Sequence, residues 1–214
     1  VSDGIVSETL TLGFNPEYYP FIMYRGQSLK GEAGKTYYLN VQVDGLTYTA
    51  ETYIQQAVIL DSVWFALDPG EDSLGYLYAI GSDPFETEDY YRVFTKRYGK
   101  DAGFVPMLGS TWEDKYFNGQ QFTFSIFRGE ASFLLEDQSE NNHFTYYTLG
   151  DTVIVKLSRI SLPVYNFWAA AESEIFAGGN PFMAPAMIPS NISGGALGVW
   201  SGYGSAIDTV IANP

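Results

Sequence analysis

Cysteine is absent from the 214 residues. That excludes a disulfide scaffold, thiolate metal sites, a CxxC redox pair and a cysteine nucleophile. Histidine occurs once, as His143, in the run Glu140-Asn141-Asn142-His143, which reads as a polar surface turn. One His and no Cys leave structural zinc without its usual ligands. A Ser-His-acid triad has no other histidine to draw on. Basic residues are also few: 11 Lys and Arg stand against 25 Asp and Glu, a net charge of −14. Such a field repels phosphate backbones, so no nucleic-acid partner is expected. No apolar run reaches the roughly 18 residues that span a bilayer. No signal peptide is visible, and the chain opens on Val1 rather than Met. A processed or trimmed product is therefore expected.

Aromatic residues, by contrast, are abundant: 17 Tyr, 15 Phe and 4 Trp. A disordered acidic tail lacks such rings. A chain of this length suffices for one large or two small domains and buries about 70% of its unfolded surface without a staple.

Alternation at a period of two is the dominant pattern. In Thr36 to Val43, Tyr37, Leu39, Val41 and Val43 share one face, and Leu46, Tyr48 and Ala50 answer them on the return strand. Asp44-Gly45 between them is a favoured type I′ turn pair, so a hairpin with one buried side is predicted. Further strands are expected at 8–12, 20–24, 61–67, 75–80, 90–97, 122–127, 151–157 and 206–211. Gly99 to Ser110 reads as a loop, and Asn118-Gly119 as a turn. One helix is predicted over 162–175. Ser161 stands at its N-cap and Pro163 in its first turn, Val164, Phe167, Trp168, Ala171 and Ile175 form the stripe, and Gly178-Gly179 ends it. The predicted fold is mostly β: an immunoglobulin- or transthyretin-like sandwich over 1–57, then a second sandwich-like unit over 58–214 carrying the helix. The alternation assigns most of the rings to the sandwich cores.

Few residues point to chemistry. The acidic groups at 68–72, 83–89 and 136–140 are expected to be solvated loops, with calcium ligation through oxygen as the alternative. A carboxylate pair of glycosidase type needs two groups about 5–10 Å apart across a cleft, which a sequence does not display. No catalytic residue, metal site or cofactor is assigned. Rings in loops suit ligand stacking: Tyr18, Tyr19, Trp112, Tyr116, Trp200 and Tyr203 are candidates. Trp200 and Tyr203 lead, because they lie in the glycine-rich run Gly198-Val199-Trp200-Ser201-Gly202-Tyr203-Gly204, with Trp112 and Tyr116 next. Asn191-Ile192-Ser193 matches the N-glycosylation pattern.

The order of these segments carries a resemblance. Gly34-Lys35-Thr36-Tyr37-Tyr38, Asp44-Gly45, Asp61-Ser62-Val63 and Asp89-Tyr90-Tyr91-Arg92-Val93 are followed by Gly150-Asp151-Thr152-Val153, the strand-to-helix stretch to Glu174 and Gly179-Asn180-Pro181-Phe182. Pro189-Ser190-Asn191-Ile192-Ser193-Gly194-Gly195 and Leu197-Gly198-Val199-Trp200 complete the series. This succession resembles the DUF4249 family of Bacteroidetes surface proteins.

The resemblance implies an exported, lipid-anchored parent protein at the outer membrane or cell surface, with a TonB-dependent receptor as partner and no catalytic residues to carry over. A glycan or peptide is the expected ligand. Family members place a lipobox Cys and an opening β segment before the point that matches Val1, so this chain is expected to start within the first sandwich, without the anchor. The expected function is a non-enzymatic accessory or binding component of an uptake system. Alternatives are a carbohydrate-binding module, an adhesin- or fimbrial-type subunit, and a carboxylate-pair hydrolase. Pro189 to Gly195 is expected to be structural, pinned by Phe182 and Ile192.

Overall fold

A computed structural model describes residues 1–15, 21–85, 87–129, 145–178 and 187–214. His143, Tyr18, Tyr19, the acidic group at 136–140, Phe182 and the motif starting at Gly179 lie outside these residues. The architecture is mostly β, with several sheets and one helix, as predicted.

Among the described residues the first strands, β1 (Thr11–Phe14) and β2 (Ile22–Arg25), pair as strands only with each other. The next two, β3 (Thr36–Val43) and β4 (Leu46–Tyr53), form the predicted hairpin, with Val43 opposite Leu46. Asp44 and Gly45 both have positive φ, 51° and 79°, the geometry that makes this dipeptide favourable in a two-residue turn. The apolar face is not buried along its length. Tyr37 and Thr52 are buried at the base, whereas Val43 and Leu46 are 51% and 60% exposed at the tip. Alternation fixes which residues share a face; burial needs a second layer, and no described residue covers the tip.

The remaining strands supply that second layer for each other. In one sheet β6 (Leu74–Ser82) is central. It pairs with β5 (Leu60–Leu67) on one edge and, in succession, with β9 (Gln121–Ile126) and β10 (Tyr147–Thr148) on the other. The other sheet has the order β12-β11-β7-β8, with β7 Tyr90–Arg97, β8 Val105–Glu113, β11 Thr152–Ile160 and β12 Gly204–Ile211. Leu77, Ala79 and Phe65 from the first sheet meet Val93, Met107, Val153, Val155 and Leu157 from the second in one sandwich-like core. β12 also packs against β5 and ties the sheets at one corner.

Three expectations need correction. The stretch expected as a loop from Gly99 to Ser110 contains the first part of β8. Pro106, Gly109 and Ser110 interrupt its alternation, and its pairing to β7 shifts register between Arg92 and Phe94. Non-local pairing overrides weak local propensity there. The helix, α1 (Leu162–Ala177), forms with Pro163 in its first turn, but Ser161 makes no side-chain cap bond. Within the expected stripe Val164 is buried, while Ile175 is 74% exposed. Most rings do not fill the core. Among the described residues only Tyr37, Phe65, Tyr91 and Tyr147 are buried. Many others stack across strands, such as Trp64 on Tyr78 at 5.7 Å and Tyr76 on Tyr146 at 4.7 Å. Rings of this size are seldom fully enclosed, and cross-strand stacking covers them in part.

Candidate functional site

The loop from Pro189 to Gly204 is a latch built by its small polar residues. The Asn191 amide clasps the backbone of Trp200 from both sides: Nδ2 donates to Trp200 O at 2.7 Å and Trp200 N donates to Oδ1 at 2.8 Å. Ser190 Oγ donates toward Ala196 O and Gly198 O. Ser193 extends the edge of β4, donating its N–H to Thr49 O at 2.8 Å and accepting Thr49 N at 3.1 Å on its hydroxyl. Gly202 N donates to Thr52 Oγ1 at 2.7 Å. A Cβ on Gly204 would lie 2.0 Å from Gln55 O, so this close backbone approach requires glycine. The structural reading of Pro189 to Gly195 thus has a physical basis, and the Asn191 amide that a glycan would occupy is already engaged.

The latch turns Trp200 and Tyr203 in different directions. Trp200 Nε1 donates to Tyr37 O at 3.3 Å, and its ring enters the wall of a cavity of about 350 Å³ between the two N-terminal hairpins and the loop. Leu10, Tyr24, Leu29, Tyr37 and Ile54 complete the apolar wall. Glu8 also borders it, with its carboxylate turned to the backbone. It accepts the N–H groups of Gln27, Ser28 and Leu29, the last at 2.7 Å, and these bonds bring its pKa down to about 2. Tyr203 instead faces the helix. Its hydroxyl accepts Trp168 Nε1 at 3.0 Å and Arg92 Nη1 at 3.2 Å. The two rings do not form a pair.

Trp112 and Tyr116 are also kept apart. Trp112 Nε1 donates to Gly109 O, and its ring meets Phe124 edge-on at 4.4 Å against the inter-sheet core. Tyr116 is 84% exposed and stands alone beside Lys115. Of the four ring candidates, Trp200 is the one whose ring borders this cavity.

Two polar constellations escaped sequence reasoning. Under α1, the buried Arg92 lies 3.6 Å from the Trp168 ring centroid and donates through Nε to Ser110 Oγ at 3.1 Å. Glu172 accepts from the hydroxyls of Ser110 and Thr111 and sits 4.0 Å from the guanidinium. Burial lowers the Arg92 pKa, with Tyr203 and Glu172 opposing. Ser110 is fully buried and bonded on both sides, so it cannot meet a substrate.

The second constellation corrects the expectation that 83–89 is a solvated loop at its two ends, Asp83 and Asp89, while Phe85, Thr87 and Glu88 between them are exposed. Asp83, Asp89 and Asp114 are all buried, and an oxygen of each lies within 4.8 Å of the others. The ends of β6, β7 and β8 bring them together. Tyr91 Oη and Gly119 N donate to Asp83, and Asp89 N donates to Asp114 Oδ2 at 2.9 Å. Arg159 Nε donates to Asp89 Oδ1 at 2.6 Å, and Thr87 Oγ1 donates to Oδ2 of the same carboxylate. Burial raises the pKa of Asp89 against the pull of Arg159. It raises that of Asp114 too, with the Asp83 and Asp89 charges adding to the effect. Burial and crowded like charges favour the neutral forms of Asp89 and Asp114, and carboxylate oxygens are the donor type that suits a hard cation. The Asp89-Tyr90-Tyr91-Arg92 run carried part of this signal, since alternation sends Tyr91 to the face between the sheets and Arg92 to the opposite face, under α1.

A β-sandwich with a latched loop and a ring-walled cavity is thus the class that fold and site define. The family model for a domain of unknown function, DUF4249, matches residues 5–207, and the chain belongs to that family. No curated protein and no solved structure matches the chain.

Proposed function

We propose that this chain is a non-enzymatic surface protein of the cell envelope, an accessory or binding component of a TonB-dependent outer-membrane uptake system, exported and lipid-anchored through its parent protein. The observation that carries the binding role is the cavity beside Trp200 at the base of the β3-β4 hairpin, whose far tip leaves the apolar residues Val41, Val43 and Leu46 exposed. A largely apolar cavity and exposed apolar side chains are each features of interaction sites.

Affinity capture from native outer membrane with the wild-type chain and with Trp200→Ala tests this role. Recovery of a TonB-dependent receptor by the wild type, reduced in the variant, is the expected result. Capture of no receptor by either would overturn the uptake role.

A carbohydrate-binding module is the second reading, favoured by an indole in a cavity wall. Polar lining groups work against it, because Trp200 Nε1, Thr52 Oγ1 and the Glu8 carboxylate are already bonded within the chain. A sugar needs free partners for its hydroxyls. Saturable glycan binding lost in Trp200→Ala would reverse this ranking.

A further inference from the structure

The polar groups around the cavity beside Trp200 are mostly engaged within the chain. The Glu8 carboxylate accepts three backbone N–H groups, Trp200 Nε1 donates to Tyr37 O, and Thr52 Oγ1 accepts Gly202 N. The Tyr37 hydroxyl donates to Lys30 O at 2.9 Å and accepts Glu32 N at 2.8 Å. Among the described residues, the Ser201 and Tyr24 hydroxyls are the side-chain groups on the wall without a partner, and no lysine or arginine lines the space. The apolar wall is firm where Ile54 stands, because a Cβ on Gly31 would lie 2.8 Å from its Cδ1 and one on Gly202 2.6 Å from its Cγ1. The wall also continues outward. Tyr24 stands opposite Leu12 and Ile22 opposite Phe14, so these four side chains share one face of the β1-β2 ribbon. All four are exposed, by 59% to 70%. Tyr24 belongs to both cavity and ribbon, and the step from Leu12 to Phe14 adds about 7 Å of apolar path.

A sugar is poorly served here, since its many hydroxyls would leave water for a wall that offers few free partners. Ordered water is no better placed, because it needs two to four polar partners. An apolar guest gives up no hydrogen bond on entering, and burial of its surface drives the binding. The volume of about 350 Å³ is more than twice the ~150 Å³ apolar cavity that takes one benzene, which is room for about ten carbons. A compact guest would leave the ribbon face bare, whereas a long, thin one covers cavity and ribbon together.

We propose that the cavity binds a single hydrocarbon chain, that of a fatty acid or the tail of a larger amphiphile, which leaves along Leu12 toward Phe14. This ligand class rests on the reading of the cavity as the binding site. Calorimetric titration of the whole chain tests it, with hexyl, octyl and decyl glucosides and with the fatty-acid anions of matching length, all below their micelle concentrations. Kd is expected to tighten by about two- to fourfold per methylene, with a negative heat-capacity change. The series that binds more tightly at equal chain length names the source. Leu10→Gln is expected to weaken the octyl probe about tenfold. Leu12→Gln is expected to weaken the decyl probe and to spare the hexyl one. If Leu10→Gln does not fold, the Trp200 Nε1–H resonance of the wild type still decides, because it must move saturably with the octyl probe. Absent saturation, a Kd independent of chain length, an unchanged Kd in Leu10→Gln or a static Trp200 resonance would each overturn the proposal. Failure of the uptake role gives a different pattern. Alkyl binding without receptor capture overturns that role and leaves the hydrocarbon chain standing. Receptor capture lost in Trp200→Ala, with no alkyl binding, overturns the hydrocarbon chain and assigns the cavity to an apolar side chain of the receptor.

Discussion

The N-terminal hairpins and the sandwich are built from the same kind of strand and reach different ends. β3 and β6 both alternate apolar and polar or aromatic positions. In β6 the inward residues Leu77 and Ala79 are fully buried against the opposing sheet. In β3 only Tyr37 is buried, and Val41 and Val43 on the same face reach solvent. Period sets which side chains share a face, while the neighbour decides whether that face becomes a core. The hairpin β3-β4 is held by hydrogen bonds from the latch loop, and the sandwich is held by apolar contact between sheets. The surface left open on the hairpins is the surface proposed above for binding.

Truncation in the two regions should separate them most clearly. Leu77→Ala, in the core, is expected to cost about 2–5 kcal/mol in denaturant unfolding. Leu46→Ala at the hairpin tip should change stability by less than about 0.5 kcal/mol. Similar costs at the two positions would mean that the tip is covered in solution.

A smaller effect is expected from the latch. Asn191→Ala removes both bonds that clasp Trp200 and should cost about 1–3 kcal/mol. Hydrogen exchange locates the loss: amides of residues 46–53 should lose protection while those of β6 and β11 keep theirs. Uniform loss over both regions would show that hairpin and sandwich unfold as one unit.

The smallest change is expected at the carboxylate trio, and its sign is favourable. Burial and the neighbouring charges raise the Asp114 pKa in the folded chain above its unfolded value. Its contribution is therefore fully present below the unfolded pKa and is lost as pH rises through the folded one. At pH 7 the charged Asp114 opposes folding. Asp114→Asn keeps an acceptor for Asp89 N–H and removes that charge, so its melting temperature at pH 7 should rise by about 2–4 °C. The gain should shrink as pH falls toward 3, where the wild-type carboxyl is neutral as well. A gain that does not depend on pH would assign the effect to packing.

Legibility followed the range of the interactions. The β3-β4 turn could be read from two residues, because Asp44-Gly45 suits positive φ whatever the rest of the chain does. The helix, predicted over 162–175 and found over Leu162–Ala177, was equally plain from Pro163, the apolar spacing and the terminal glycine. β8 was not, since Pro106 and Gly109 weaken its local signal and β7 supplies the pairing. The acidic run at 83–89 looked like any solvated loop, because Arg159 and Asp114, the partners of the buried Asp89 at its end, lie far away in the chain. Trp200 was singled out for its glycine-rich setting. Its separation from Tyr203 depends on Asn191, Tyr37 and Arg92, from three other parts of the chain.

By itself the sequence determined the strand class, the turns, the helix and the family, because backbone preference, side-chain period and motif order are properties of neighbouring residues. Only the tertiary structure decided that Trp200 borders a cavity while Trp112 packs on the core, and that three aspartates are crowded out of water. Burial, charge compensation and cavity walls are sums over residues from distant strands, and no local window of sequence contains them.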